Sequence, residues 1–417
     1  MQSIVVEGKN RLSGEIKVQG AKNSALPILA ATVLCDGKTV LTNCPALTDV
    51  FSAERILTHL GCRCGFSDNT ATVENDGIKN PHIPDTLMSE MRSSIIFLGA
   101  ILGKTGECSL SFPGGCELGA RPIDIHLAAL RRMGVSISEE FGMLRCQVSK
   151  ELHGAKLTLP FPSVGATENI ILAATLAKGE TVIRNAAREP EIRDVAEFLN
   201  KCGADISGAG ESTVVIHGVK KLHACEHRIM PDRIVAAAYL SAAAITGGEV
   251  TLTDIRAEDI ESVMPPFEEM GCYTYISPDS VYIKAPKKIK RVKKIITLPH
   301  PGFPTDAQAI LMAVLCRAEG TSVISENIFE SRYKHVPQLV RMGADIKVEG
   351  KAAIVGGVSK LFGTTVSATD LRGGAALVIA GLAAEGTTTV TDIAHIDRGY
   401  DEIERALSSL GGKVSRI

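Results

Sequence analysis

Residues 56–62 read ILTHLGC, and the same phrase, ending apolar-x-x-apolar-Gly, returns as AALRRMGV (128–135), EFLNKCGA (197–204), PFEEMGC (266–272), QLVRMGA (338–344) and ALSSLGG (406–412). Its glycines, Gly61, Gly134, Gly203, Gly271, Gly343 and Gly411, are spaced by 73, 69, 68, 72 and 68 residues. Six copies of one unit therefore fill the 417 residues, the mark of a repeat architecture in which neighbouring units bury one another's apolar faces.

The remaining parts of each unit recur in phase. Upstream of the glycine phrase stands an Ala/Leu/Ile-rich segment: SALPILAATVL (24–34), SSIIFLGAIL (93–102), ENIILAATLA (168–177), IVAAAYLSAAAI (234–245), AQAILMAVLCR (307–317) and AALVIAGLAA (375–384). These predict helices that are apolar nearly all round and hence buried, with sheets covering them. Each is followed by a Gly-containing turn and a β-branched strand, KTVLTN, ECSLSF, ETVIRN, EVTLTD, TSVISE and TTTVTD in turn. A polar loop comes next, then a second helix capped by the glycine, then another strand such as CQVSK or AAIVGG. A chain of this length predicts two domains, and three units in each is the economical grouping.

Composition narrows the function. A net charge of −2, with 45% hydrophobic and 22% charged residues, fits a globular protein and argues against a general nucleic-acid or membrane-surface role. Any anion site must be a local cluster of cations. Apolar runs are too short to span a bilayer, the first residues carry no signal-peptide pattern, and a cytoplasmic location is expected. The 11 cysteines lack metal-ligand spacing and are expected to be thiols, mostly packed as small apolar residues. No metal or cofactor is expected.

Polar residues recur at matching places. One set immediately precedes the buried helices: Lys22 and Asn23, Arg92, Ser163-Val164-Gly165, Asp232 and Arg233, Asp306, and Asp370 with Arg372. The other follows the next strand: Asp49, residues 114–121, Arg188, Asp254 and Arg256, Arg332, and Asp397-Arg398. Helix N-termini favour anions through their unpaired N–H groups and dipole. If the two domains face each other at these ends, the cations line one cleft. The simpler alternative is that Asp232, Asp306 and Asp370 are only N-caps and each arginine a solvated side chain.

Within residues 112–125, FPGGCELGARPIDI, Gly114, Gly115 and Gly119 supply a mobile backbone bracketed by Pro113 and Pro122. Cys116 lies five residues before Arg121, and a thiol among cations has a lowered pKa and becomes reactive. Such a loop is expected to close over a cleft and exclude water.

With these segments in view, the chain resembles the UDP-N-acetylglucosamine 1-carboxyvinyltransferase family of enolpyruvyl transferases. The matching residues are QGAKNSALPILAA (19–31), MRSS (91–94), PGGCELGARPIDIH (113–126), SVGATENI (163–170), NAAREPEI (185–192), PDR (231–233), PTD (304–306), ENIFESRYKHVPQL (326–339), ATDLR (368–372) and HIDRGY (395–400). The resemblance implies a two-domain inside-out α/β barrel, with residues 21–229 in the domain of Cys116 and residues 1–20 plus 230–417 in the second. It implies transfer of the enolpyruvyl group of phosphoenolpyruvate to the 3'-hydroxyl of UDP-N-acetylglucosamine with release of phosphate, the first committed step of peptidoglycan synthesis. No obligate protein partner is implied.

The same likeness implies residue roles. Cys116 donates the proton to C3 of the donor, can form a covalent adduct with the pyruvyl unit, and is the target of the epoxide fosfomycin. Asp306 stands as the base or orienting group at the sugar hydroxyl. Lys22, Arg121 and Arg398 are implied phosphate partners, and Arg332, Arg372 and Arg398 carboxylate partners, Arg being suited by its planar fork. Asn23, Arg92, Arg121, Pro122, Ile123, Asp124, Ile125, Ser163, Val164, Gly165, Asp306 and Ile328 match the nucleotide-sugar pocket. The chain departs from some family members in reading Leu159-Pro160-Phe161-Pro162 where they carry a lysine, so Phe161 is placed to pack by the uracil without a charge contact to the diphosphate. Glu117 beside the cysteine opposes thiolate formation.

Two rivals remain at this level. A 5-enolpyruvylshikimate-3-phosphate synthase-like transferase shares fold and donor, but it does not use a Gly-Gly-Cys loop. A non-catalytic nucleotide-sugar-binding paralogue is expected to have lost the cations or the cysteine, and all are present. RNA-end chemistry lacks its histidine motif, and Gly103-Lys104-Thr105 misses the phosphate-loop spacing by one residue.

Overall fold

Each repeat places one nearly apolar helix inside and a small sheet outside, as the alternation of sequence patterns predicts. The structure, a computed structural model, describes residues 2–111 and 123–417. Two compact units emerge, one of residues 20–111 with 123–230, the other of residues 2–19 with 231–417, each with its own apolar core.

The inner helices of the first unit are Lys22–Ala31, Phe97–Thr105 and Val164–Ala174; those of the second are Arg233–Thr246, Thr305–Leu315 and Leu371–Ala383. In the second unit all three pack against one another, and in the first Phe97–Thr105 touches both of the others. Small residues make this approach possible. A Cβ on Gly99 would sit 2.2 Å from the Asn169 carbonyl oxygen, well inside van der Waals contact. Helices this apolar have no face to offer water, so they fold only inside a cover.

The cover is six small sheets of one design. In the second repeat, His82–Ile83 runs parallel to Glu107–Ser111, which pairs antiparallel with Met143–Val148, itself antiparallel to Val135–Glu140. The sequence pattern anticipated one strand after each glycine phrase; the structure has a hairpin of two. The extra strand was hidden because its side chains are largely solvated, as in Val135–Glu140, where only Val135 is buried. All six phrase glycines have φ between 88° and 108°, the left-handed conformation that reverses the chain from helix into hairpin. That requirement is why glycine returns at this position and no other residue does.

Both units are closed by strands from their far ends. Leu222–His223 and Glu226–Arg228 run parallel to Cys35–Thr42 and complete the sheet of the first repeat. Ser13–Lys17 does the same for Glu249–Thr253 in the fourth. The sixth repeat ends before its third strand, and Ile4–Glu7 fills the gap between Thr387–Thr391 and Lys413–Arg416. The architecture is a two-domain inside-out α/β barrel. Among the described residues, no helix is long and apolar enough to cross a membrane.

Candidate active site

The recurring polar residues do sit at the N-termini of the inner helices. Ser163 caps Val164–Ala174, accepting from Ala166 N at 3.3 Å. Asp232 accepts from Ile234 N and Val235 N, and Asp370 from Arg372 N and Gly373 N. Asp232 and Asp370 therefore cap their helices. Asp306 is different. It lies one residue inside Thr305–Leu315, and its carboxylate turns to two arginines.

Arg332 Nη2 donates to Asp306 Oδ1 at 2.7 Å, and Arg372 donates to Oδ2 through Nη2 at 3.1 Å and Nε at 3.3 Å. Both guanidiniums are only 2% exposed, whereas the Asp306 side chain is 28% exposed. Buried cations need partners, and here the ion pairs are supplemented by a carbonyl and two rings, although Arg372 Nη1 is buried without a hydrogen-bond partner. Arg332 also donates to the Thr305 carbonyl oxygen and lies 5.5 Å from the Phe329 ring centre; Arg372 lies 5.4 Å from that of Tyr400. Burial alone would lower the pKa of Arg372, but Tyr400, Asp306 and Asp232 reverse this and raise it, so it is a permanent cation. His335, buried beneath the cluster, is held neutral at a pKa of about 4, chiefly by burial; Asp370 opposes and Arg332 reinforces the shift.

Glu326, 1% exposed, shapes the neighbouring loop. Its Oε1 accepts from Ile328 N, Phe329 N and Thr297 Oγ1, and its Oε2 accepts from Thr305 Oγ1. One carboxylate thus fixes Ile328 and the start of the helix bearing Asp306. Arg398 ends the short helix Ile393–Arg398 of the same unit and is half-buried, while Asp397 turns away to Arg416 at 2.7 Å.

The other unit holds a buried cation of its own. Lys22 Nζ lies 2.6 Å from Asp49 Oδ2, with both side chains almost wholly buried. The first turn of its helix, including Asn23, is anchored by the next residue, Ser24, whose hydroxyl donates to Asp194. Asp194 also accepts from His227 Nε2 at 3.2 Å and from Met230 N at 3.1 Å. Burial opposes its charge, but the bonds from His227 and Ser24 hold its pKa below the usual range.

Three segments matched to the nucleotide-sugar pocket meet around Asn169. Its Oδ1 accepts from Gly99 N at 2.7 Å, and its Nδ2 donates to the Ile95 carbonyl oxygen at 3.0 Å and to His126 Nδ1 at 2.9 Å. Asn169 lies on the helix that opens at Val164 and Gly165, His126 on Asp124–Arg132 after Ile123, and Ile95 in the turn that begins at Arg92. His126 accepts at Nδ1 and is neutral, its pKa lowered to about 4 by burial against the opposing pull of Asp124. Phe161 is 43% exposed beside this region.

Cys116, Arg121 and Pro122, with the rest of the Gly-rich loop, and the side chain of Arg92 lie outside the described residues. The ten described cysteines are free thiols, eight of them buried, and burial pushes thiols such as Cys44, Cys62 and Cys316 up to about 12. They are packing residues. Sequence reasoning missed Glu326, Asn169, His126, Asp194, Phe329 and Tyr400 as site builders. All but Asp194 stand inside the quoted motifs, so the signal was proximity to implied ligands rather than residue chemistry.

Paired arginines buried around a carboxylate at a helix start are suited to holding an anion, and the double barrel that carries them is that of the enolpyruvyl transferases. A family model described as EPSP synthase (3-phosphoshikimate 1-carboxyvinyltransferase) matches residues 6–407. The enolpyruvyl transferase NikO from Streptomyces tendae superposes with a TM-score of 0.89 at 24% identity, covering 100% of this chain and 98% of that one. EPSP synthase from Acinetobacter baumannii gives 0.75 at 20% identity over the full length of both. Sequence relatives are nearer. UDP-N-acetylglucosamine 1-carboxyvinyltransferase 2 of Caldanaerobacter subterraneus subsp. tengcongensis is 52% identical over 417 residues, 100% of each chain. The enzyme of that name from Nitratidesulfovibrio vulgaris strain DP4 is 47% identical over 100% of this chain and 99% of its own. The chain belongs to the UDP-N-acetylglucosamine 1-carboxyvinyltransferase family.

Proposed function

We propose that this chain transfers the enolpyruvyl group of phosphoenolpyruvate to the 3'-hydroxyl of UDP-N-acetylglucosamine in the cytoplasm, the committing step of peptidoglycan synthesis. The observation that carries the proposal is the pair of deeply buried arginines set around Asp306. A fold needs no such pair, and replacing buried ion pairs with apolar groups is commonly stabilising. A substrate carboxylate does need it.

The chemistry assigns the rest. The sugar hydroxyl adds to C2 of the donor while C3 takes a proton from Cys116, giving a tetrahedral intermediate; phosphate then leaves C2 and C3 gives up a proton, restoring the double bond. Donor phosphate and carboxylate must be held together against their own repulsion, so fixed cations supply both binding and alignment. Arg332 and Arg372 take the carboxylate, Lys22 and Arg121 the phosphate, and Arg398 serves either group. Asp306 orients or deprotonates the attacking hydroxyl. Asn23, Arg92, residues 121–125, Ser163 to Gly165 and Ile328 hold the nucleotide sugar, and Phe161 packs by its base.

Phosphate release from phosphoenolpyruvate tests this. Turnover is expected with UDP-N-acetylglucosamine, none with shikimate-3-phosphate, and none in the Cys116→Ala variant at neutral pH. Turnover with shikimate-3-phosphate alone would overturn the choice of acceptor.

A further inference from the structure

Asp306 is bound by the very groups assigned to the donor. Its two carboxylate oxygens occupy the forks of Arg332 and Arg372, one oxygen to each guanidinium, at 2.7 Å and 3.1 Å. An acid held this way is a poor partner for a hydroxyl, because both oxygens already accept charged hydrogen bonds. Nε and Nη2 of both arginines are already engaged, and Arg372 Nη1 alone would leave a second anion without a two-point grip. Arg332 is tied to the Thr305 carbonyl oxygen and packed on Phe329, and Arg372 is packed on Tyr400. Asp306 is the accessible member, being more than a quarter exposed while its partners are sealed in.

We propose that Asp306 is an internal stand-in for the donor carboxylate, and that seating phosphoenolpyruvate displaces it from Arg332 and Arg372 and so frees it to face the acceptor hydroxyl. This rests on the function proposed above and adds a coupling to it. The donor's carboxylate offers the same two-oxygen geometry to the same forks, so donor and Asp306 compete. Once displaced, the Asp306 carboxylate loses two cationic partners and gains proton affinity where the hydroxyl proton must go. The base is therefore armed only when the donor is present. The cations in turn are never left without a counter-charge.

The competition makes a prediction opposite to that for an ordinary binding residue. In Asp306→Asn the forks lose their resident anion and the repulsion it exerts on an arriving one. Calorimetric titration with phosphoenolpyruvate should then show at least tenfold tighter binding than wild type, while kcat falls at least a hundredfold. Asp306→Glu, which keeps the charge, should bind the donor like wild type. Thermal unfolding checks both folds, and the Asn variant should regain more of its Tm on adding phosphoenolpyruvate than wild type gains. Asp306→Ser serves as the same test if the Asn variant does not fold. Donor binding by the neutral variants that equals or falls below that of wild type overturns the exchange. Wild type that binds no phosphoenolpyruvate overturns instead the function on which it rests.

Discussion

At the residue scale, one amide does the work of a small scaffold. Asn169 satisfies a backbone N–H, a backbone carbonyl and a histidine ring nitrogen on three segments, all of them bordering implied acceptor contacts. Asn169→Leu removes three hydrogen bonds and leaves a histidine nitrogen buried without its donor, which should cost about 3 kcal/mol of stability. Because the displaced segments bear on the nucleotide sugar, its KM should rise more than that of phosphoenolpyruvate. Equal rises in steady-state kinetics would reduce Asn169 to a core residue. The neutral histidines give a second test. His126 and His335 have native pKa values of about 4, below the usual unfolded value near 6.5, so between those pH values the unfolded chain binds more protons. Their contribution is complete above pH 6.5 and is lost as pH falls toward 4. Urea unfolding should show a loss of roughly 1.5 kcal/mol per histidine between pH 6.5 and 5. Half that loss would mean that one of them takes up its proton as readily in the native state as in the unfolded chain, and a flat profile that both do.

At the element scale, the inner helices depend on how closely their backbones approach. Gly99→Ala would push a methyl to 2.2 Å from a backbone oxygen of the neighbouring helix and 2.8 Å from the Asn169 side-chain oxygen. Neither can yield without moving the helix, and a loss of about 3 kcal/mol, the upper end for overpacking, is expected in the unfolding midpoint. The inner helices and the strands after them were legible in the sequence because burial on all sides leaves an unbroken apolar run. The hairpin strands were not, since an edge strand such as Tyr273–Ser277 exposes most of its side chains and carries almost no periodic signal. The site divides the same way. Arg332, Arg372 and Asp306 were legible from residue type and position, whereas their mutual pairing depends on two rings and a glutamate brought together only by folding. Asp232 and Asp370 carried the same sequence signal as Asp306 and turned out to be caps, because an aspartate before a helix looks alike whichever way its side chain turns.

At the scale of the molecule, the chain ends meet. Ser3 and Ile417 exchange backbone hydrogen bonds of 2.8 and 3.0 Å, and Ile4–Glu7 lies between strands from the last repeat. A circular permutant joining residues 417 and 2 by a short Gly/Ser linker, opened at the solvated hairpin tip of Phe141 and Gly142, keeps every sheet intact. It should fold and retain transferase activity within about threefold of the parent. Failure to fold, seen by circular dichroism, would show that the order of synthesis matters to the final state. The paired ends also bear on how the protein is made. Ile4 and Val6, wholly buried in the finished fold, leave the ribosome long before the strands that flank them, 387–391 and 413–416. For most of translation that segment has no native partner, while residues 20–230 already contain every strand of their own three sheets. Residues 20–230 can therefore mature first, and strand 4–7 is locked in place only when 387–391 and 413–416 arrive.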